Sequence, residues 1–259
     1  MCYDISFTVD IRQISEYFPE LVWDEQIKID FEKAAHIMGH AYGEQPVIFM
    51  DREDGLQHLT MMEWGCIPFY VKDEKAYAKT RALMLNARSE KILDDPKSYW
   101  NKIRNRRCLV PVTGFYEHRK VKSHTNKIPY LITLKEQPLF FLPALYSVAE
   151  LPDKATGELV KRFTFTVVTR TANTVMAAIH NEGSNTGRMP LLLPLSGSKK
   201  WLDDSLGEDE YREILNYQMP NEALEFKTVW TIRSPKLRPD EKRKDEEFIW
   251  EGLEPLEIG

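Results

Sequence analysis

A cysteine follows directly on the first methionine, in Met1-Cys2-Tyr3, and removal of Met1 would give it two nucleophiles on adjacent carbons. A terminal cysteine carries a free α-amine, with a reference pKa of roughly 7.7–8.0, beside a thiol at roughly 8.5, so both are partly reactive near neutral pH. The amine can condense with an aldehyde to an imine, and the thiol can close on the imine carbon to give a five-membered thiazolidine. No internal residue offers that pair. Other residues with chemical capacity are Asn86 and Arg88, Glu117 at the end of a hydrophobic run, and His180 ahead of Arg188. Each also has a plain structural reading. His180 closes the apolar stretch 175–179, where a histidine serves as a core or cap group, and Asn86 fits a helix C-cap. Arg88 with Glu90 fits a surface charge set, and Cys66 and Cys108 fit buried thiols. Glu117 is the least comfortable as structure alone, because a buried carboxylate must be paired.

The chain that has to position these groups has 259 residues, 42% hydrophobic and 11% aromatic, enough to bury a sizeable core. Three separated cysteines with no CxxC pair indicate neither a disulfide framework nor a zinc site; no metal and no cofactor is expected. The start of the chain lacks a basic segment followed by an apolar run, and no stretch is long enough to span a bilayer. A cytoplasmic protein without membrane association is the expectation. The formal net charge of -5 argues mildly against bulk attraction to nucleic acid, although the local field matters more than the total. Between 97 and 107 there are five basic residues and no acid, whereas Asp245, Glu246, Glu247, Glu251, Glu254 and Glu257 crowd the end.

Helical periodicity is present at 27–38, where Ile27, Phe31, Ala34, Ala35 and Met38 share a face, and at 208–217. Strand-like runs occupy 108–116, 130–134, 139–148 and 163–169, with Pro138, Pro152 and Gly157 between them. This order predicts an α+β fold: one domain with a largely antiparallel sheet or partial β-barrel flanked by helices. There is no GxGxxG or GxxxxGK[ST] signature and no internal repeat. The domain is expected over 1–233, followed by a charged, surface-packed or mobile tail over 234–259.

Five separated segments carry a family signal: Met1-Cys2, Trp64-Gly65-Cys66-Ile67-Pro68, Asn86-Ala87-Arg88-Ser89-Glu90, the run 107–117 ending in Gly114-Phe115-Tyr116-Glu117, and Ala178-Ile179-His180 ahead of Arg188-Met189-Pro190. In this order they resemble the SOS response-associated peptidase (SRAP) family over roughly the first 203 residues. The resemblance implies a protein that binds single-stranded DNA, loses Met1, and uses Cys2 to form a stable thiazolidine crosslink to the ring-opened aldehyde of an abasic site, shielding the lesion. It also implies that Asn86 orients the sugar or the terminal residue and that Glu117 is an acid/base on amine, imine and sugar hydroxyl. His180 would be a second acid/base group in ring opening and crosslink reversal, and Arg88 and Arg188 would hold phosphates. Trp64, Phe69 and Tyr70 could stack on bases or wedge them apart, although Trp64 fits the core better. The expected partner is single-stranded DNA containing abasic sites, engaged by a monomer associated with DNA in a bacterial-type cytoplasm.

The chemistry supports these roles independently. An abasic sugar is mostly a closed hemiacetal, so a proton relay must open it, and imine formation needs an acid to expel water. A carboxylate near a histidine supplies both at neutral pH, the more so if burial raises the carboxyl's pKa. Arginine forks suit phosphate. The chain also departs from the family pattern. Tyr3 and Asp4 stand where many members have glycine and arginine, His118 replaces a tryptophan, and 181–187 lengthens the connection to Arg-Met-Pro. Two other functions remain open on sequence: a cysteine peptidase using Cys2 and His180, its action extending no further than removal of Met1 in the narrowest case, and a DNA-binding module without chemistry.

Overall fold

The computed structural model describes residues 2–23, 27, 31–153 and 155–258. Its strands, in chain order, are β1 (Asp4–Phe7), β2 (Val22–Trp23), β3 (Ala34–Met38), β4 (Glu44–Met50), β5 (Gln57–Trp64), β6 (Asn86–Arg88), β7 (Arg107–Val112), β8 (Gly114–Arg119), β9 (Ile128–Leu134), β10 (Phe140–Pro152), β11 (Leu159–Thr171), β12 (Arg188–Pro190) and β13 (Leu224–Thr228). Strand β5 pairs with β4, β4 with β7, β7 with β10 and β10 with β11, all antiparallel. A short parallel pairing of β11 with β5, Thr164 opposite Glu63 and Phe165 opposite Trp64, closes the ring. Closure leaves these five strands no free edge where they pair.

The apolar run at β7 follows from this closure. Cys108, Val110 and Val112 point into one core with Val47, Met62, Trp64 and Phe165. Leu109, on the opposite face, packs with Ile14, Phe141, Trp201 and Tyr211. Both faces are covered, so the alternation of polar residues that marks a half-exposed strand is missing. The helix Glu208–Asn216 buries Tyr211, Ile214 and Leu215 in the second core, each contributing roughly 1.5–3 kcal/mol. The helix predicted at 208–217 is thus present.

A second sheet, in the order β13-β9-β8-β1-β3, stands beside the barrel. The run predicted at 108–116 is two strands, because the chain leaves the barrel at Thr113 and enters this sheet at Gly114. Thr113 N–H donates to Ser6 O (2.8 Å), and the Thr113 and Ser6 hydroxyls lie 3.1 Å apart. A Cβ on Gly114 would lie 2.7 Å from Leu131 Cδ1 and 3.1 Å from Ile132 O, so the crossover needs glycine.

The helix predicted over 27–38 is corrected in its second half. Residues 34–38 form β3 against β1, Asp4 opposite Met38 and Phe7 opposite Ala34; residues 28–30 lie outside the described residues. Without β3 the outer edge of β1 would have no strand partner, so tertiary pairing overrides a local helical period. The charged stretch after 233 packs on the second sheet. Arg119 donates to the carbonyls of Glu254 (2.7 Å) and Pro255 (2.8 Å), Arg238 donates to those of Arg243, Glu246 and Glu247, and Trp250 stacks on Trp230. No helix among the described residues is long and apolar enough to cross a membrane.

Candidate active site

The site forms where β1 and β8 of the second sheet meet β6 and β11 of the barrel system. Cys2 leads into β1, and its carbonyl accepts a hydrogen bond from Asn86 Nδ2 at 2.9 Å. Asn86 opens β6, which runs parallel to β11 with Asn86 opposite Val167. Tyr3 O accepts from Gly39 N–H at 2.8 Å, so the start of the chain is held by two segments far away in sequence. Asn86 is 6% exposed and its Oδ1 has no hydrogen-bond partner among the described residues. A buried acceptor left in that state costs about 1–3 kcal/mol, which suits a position that receives a donor from a reacting group.

Glu117 lies on β8, buried at 5% exposure. Burial pushes its carboxyl up to about 7, so near neutral pH it exists as both acid and base. Cys2 is fully buried. Burial first, and the charge of Glu117 second, push its thiol well above the usual cysteine range. His180 caps the helix Thr174–Ile179, which begins at Asn173, whose side chain accepts from Met176 N–H. Its Nδ1 donates to Arg188 O at 3.0 Å, so in the neutral ring Nε2 carries the lone pair. Burial lowers its pKa and favours that neutral form.

Glu117 and His180 share a cleft of about 330 Å³ with Tyr3, Asp4, His118, Lys127, Arg233 and the loop residues Glu182 to Asn185. The lengthened connection at 181–187 therefore builds one wall of the cleft, and Asn181 fastens it by exchanging two 2.8 Å hydrogen bonds with the backbone of Lys120. His118 is held by burial down to about 4 and is neutral at pH 7. Asp4 is buried, accepting from His36 Nε2 at 2.7 Å and from Arg233 Nε at 2.9 Å. Burial pushes the Asp4 carboxyl up, but these hydrogen bonds more than offset it and hold the pKa below the ordinary aspartate range. Sequence reasoning marked Asp4 only as a departure and did not find Arg233. No local pattern links two residues 229 positions apart.

Cys2, Asn86, Glu117 and His180 are thus brought together, while the residues expected to touch DNA are placed differently from one another. Arg88 is exposed beside Asn86. Arg188 is 9% exposed and held by Glu90, Nη1 to Oε1 at 2.5 Å and Nη2 to Oε2 at 3.0 Å, with Nη2 also donating to Thr169 O. A phosphate would have to displace that carboxylate. Trp64 is corrected as a base contact: it is 1% exposed, donates Nε1–H to Leu85 O (3.0 Å) and stacks on Phe165 where the barrel closes. Its neighbour Gly65 has φ +103°, and a Cβ there would meet the Tyr42 ring at 2.8 Å, which accounts for the Trp-Gly pair. Phe69 and Tyr70 are exposed, and their rings contact Tyr99. Phe69 borders a separate cleft with Arg52, Lys72, Arg106 and Lys161, which shares no lining residue with the one at Glu117.

A family profile described as SOS response associated peptidase (SRAP) matches residues 1–232. The chain is 29% identical over 216 residues to Abasic site processing protein YoqW of Bacillus subtilis (strain 168), covering 82% of this chain and 89% of that one. It is 30% identical over 193 residues to Abasic site processing protein YoaM of the same organism, covering 74% and 78%. A crystal structure of a protein from Bacteroides thetaiotaomicron matches with a TM-score of 0.75 at 27% identity, covering 95% of this chain and 97% of that chain. One from Bordetella bronchiseptica, with a TM-score of 0.69 at 18% identity and covering 89% and 100%, shares the fold. A barrel closed through Trp64, a sheet carrying Glu117, and a family match spanning both lead to one conclusion: this chain belongs to the SOS response associated peptidase (SRAP) family.

Proposed function

We propose that this protein processes abasic sites in single-stranded DNA by capturing the lesion's aldehyde on Cys2 as a thiazolidine. The observation that carries the reading is the hydrogen bond from Asn86 to the Cys2 backbone beside a buried Glu117 whose carboxyl titrates near 7. That pairing supports a held N-terminal residue next to a group able to give and take protons at neutral pH. The relatives' names, abasic site processing protein, fit the same chemistry.

Hydrolysis of the Met1–Cys2 peptide bond consumes one water and frees the amine. Ring opening breaks the C1'–O4' bond: the hemiacetal hydroxyl gives its proton to a base, for which the Nε2 lone pair of His180 and the carboxylate form of Glu117 are suited, and the departing ring oxygen takes up one proton in return. The Cys2 amine then adds to the aldehyde carbon. Protonated Glu117 gives its proton to the carbinolamine hydroxyl, water leaves, and the nitrogen returns a proton to the Glu117 carboxylate as the imine forms. The sulfur adds to the imine carbon as the thiol proton is transferred to nitrogen. Aldehyde plus aminothiol therefore yields thiazolidine plus one water. Exposed Phe69 and Tyr70 provide ring faces for unstacked bases, and Arg88 provides a cation for the backbone.

The test is incubation with single-stranded DNA bearing one abasic site, followed by a denaturing gel and intact mass. The expected adduct has the summed mass of DNA and Met1-less protein, less one water. Absence of any adduct from protein that has lost Met1 overturns the reading, and a Cys2→Ala variant is expected to form no stable adduct. A cysteine peptidase pairing Cys2 with His180 is less well supported. It needs a thiol lowered by an imidazolium, whereas burial raises the thiol and lowers the histidine.

A further inference from the structure

Arg233 reaches the cleft with one edge of its guanidinium committed and the other open. Nε donates to Asp4 Oδ1 at 2.9 Å, and Nη2 donates to Asp4 Oδ2. Asp4 is itself 2% exposed, and its Oδ1 also takes a 2.7 Å hydrogen bond with His36 Nε2. Nη1 makes no hydrogen bond among the described residues, and the Arg233 side chain is 43% exposed. A guanidinium is planar with five N–H donors in a fixed fork, so a carboxylate holding the Nε–Nη2 edge directs the remaining donors away from itself. The other cation lining the cleft, Lys127, is engaged by Glu182, with Nζ 3.0 Å from the backbone oxygen and 3.1 Å from Oε2. Burying Asp4 carries a large desolvation cost; a fork that leaves three donors presented in a cleft gives that cost a use beyond local stability.

We infer that Arg233 is a phosphate-binding residue of this cleft, with Asp4 as the residue that positions it. The ligand class is the phosphodiester of a DNA strand, contacted next to the nucleotide that reacts at Cys2. The inference rests on the proposed function for the identity of the strand and not for the geometry of the fork.

The test uses a short oligothymidylate with a central tetrahydrofuran analogue, which has phosphates but no aldehyde and so reports binding without crosslinking. Arg233→Gln is expected to weaken binding roughly ten-fold, the loss of a charge-assisted contact, and to reduce the slope of log affinity against log salt by about 0.7, the value for one phosphate of a single strand. Arg12→Gln, at a surface arginine paired with Asp10 away from the cleft, is the control expected to change neither. Asp4→Asn removes a negative charge from the cleft and yet is expected to weaken binding, because Arg233 loses its anchor; tighter binding would overturn the positioning role. The wild-type protein is also treated with phenylglyoxal with and without the oligonucleotide, and modification at Arg233 is read by peptide mass. Protection is expected, and an unprotected Arg233 or an unchanged salt slope overturns the proposal even where a variant folds poorly. A protein that shows the slope change but no adduct on true abasic DNA keeps the Arg233 site and loses the thiazolidine reading; the reverse pattern does the opposite.

Discussion

Replacing Glu117 by glutamine is expected to stabilise the protein by an amount that grows with pH. The side chain is buried at 5% exposure, and burial holds its carboxyl at about 7 against an ordinary value of 4.5. Between these values the folded state binds a proton that the unfolded state releases, so stability falls as pH rises through that window. At about 1.4 kcal/mol per pH unit, the full cost of ionising Glu117 in the fold approaches ~3 kcal/mol above pH 8. It vanishes below about pH 4.5, where the carboxyl is protonated in both states. Glutamine is close in shape and never ionises, so the difference between Glu117→Gln and wild type should be near zero at pH 4.5 and rise toward ~3 kcal/mol at pH 8. Urea melts of both proteins at a series of pH values measure it. The same variant should form the abasic adduct more slowly, since it has no proton to give the carbinolamine. A stability difference that does not change with pH, or that shrinks as pH rises, would refute the argument that Glu117 is a carboxyl raised by burial and available as the acid.

Asn86→Ala removes the donor to the Cys2 carbonyl; a loss of about 1 kcal/mol in positioning should slow adduct formation roughly five-fold in a single-turnover gel assay. Arg188→Gln breaks a fork on Glu90 that is half exposed on the carboxylate side. A loss of about 1 kcal/mol is expected after allowance for solvent screening, read as a lower melting temperature, and an unchanged melt would show that the pair contributes nothing. Gly65→Ala places a Cβ against Tyr42 at φ +103° and should cost about 1–3 kcal/mol, measured by urea unfolding.

Much of the architecture was legible because the barrel is covered on both faces. Strands such as β7 and β10 become almost wholly apolar under that cover, and apolar runs are readable one after another along a chain. The helix at 208–216 was legible for a related reason: Tyr211, Ile214 and Leu215 fall on one face, and three acids open its first turn. Residues 34–38 misled because every residue of β3 but the last is half-buried, so no clean alternation marks it as a strand. In the candidate site, Cys2, Asn86, Glu117 and His180 could be picked out through ordered motifs. Trp64 already fitted the core better than a base contact from its motif, and at 1% exposure it lies there, whereas Arg233 could not be found at all.

The sequence by itself determined which reactive groups the chain possesses: an aminothiol once Met1 is removed, a carboxylate after a hydrophobic run, a histidine after an apolar stretch, and several arginines. Those are covalent facts, independent of folding. The tertiary structure decided which arginine is already occupied and which has donors to spare, since Glu90 closes on Arg188 while Asp4 holds only one edge of Arg233. It also decided that burial raises the Glu117 carboxyl to about 7 and favours the neutral form of His180. Protonation and donor occupancy depend on desolvation and on partners across space, and those exist only when residues as distant as Asp4 and Arg233 are folded against each other.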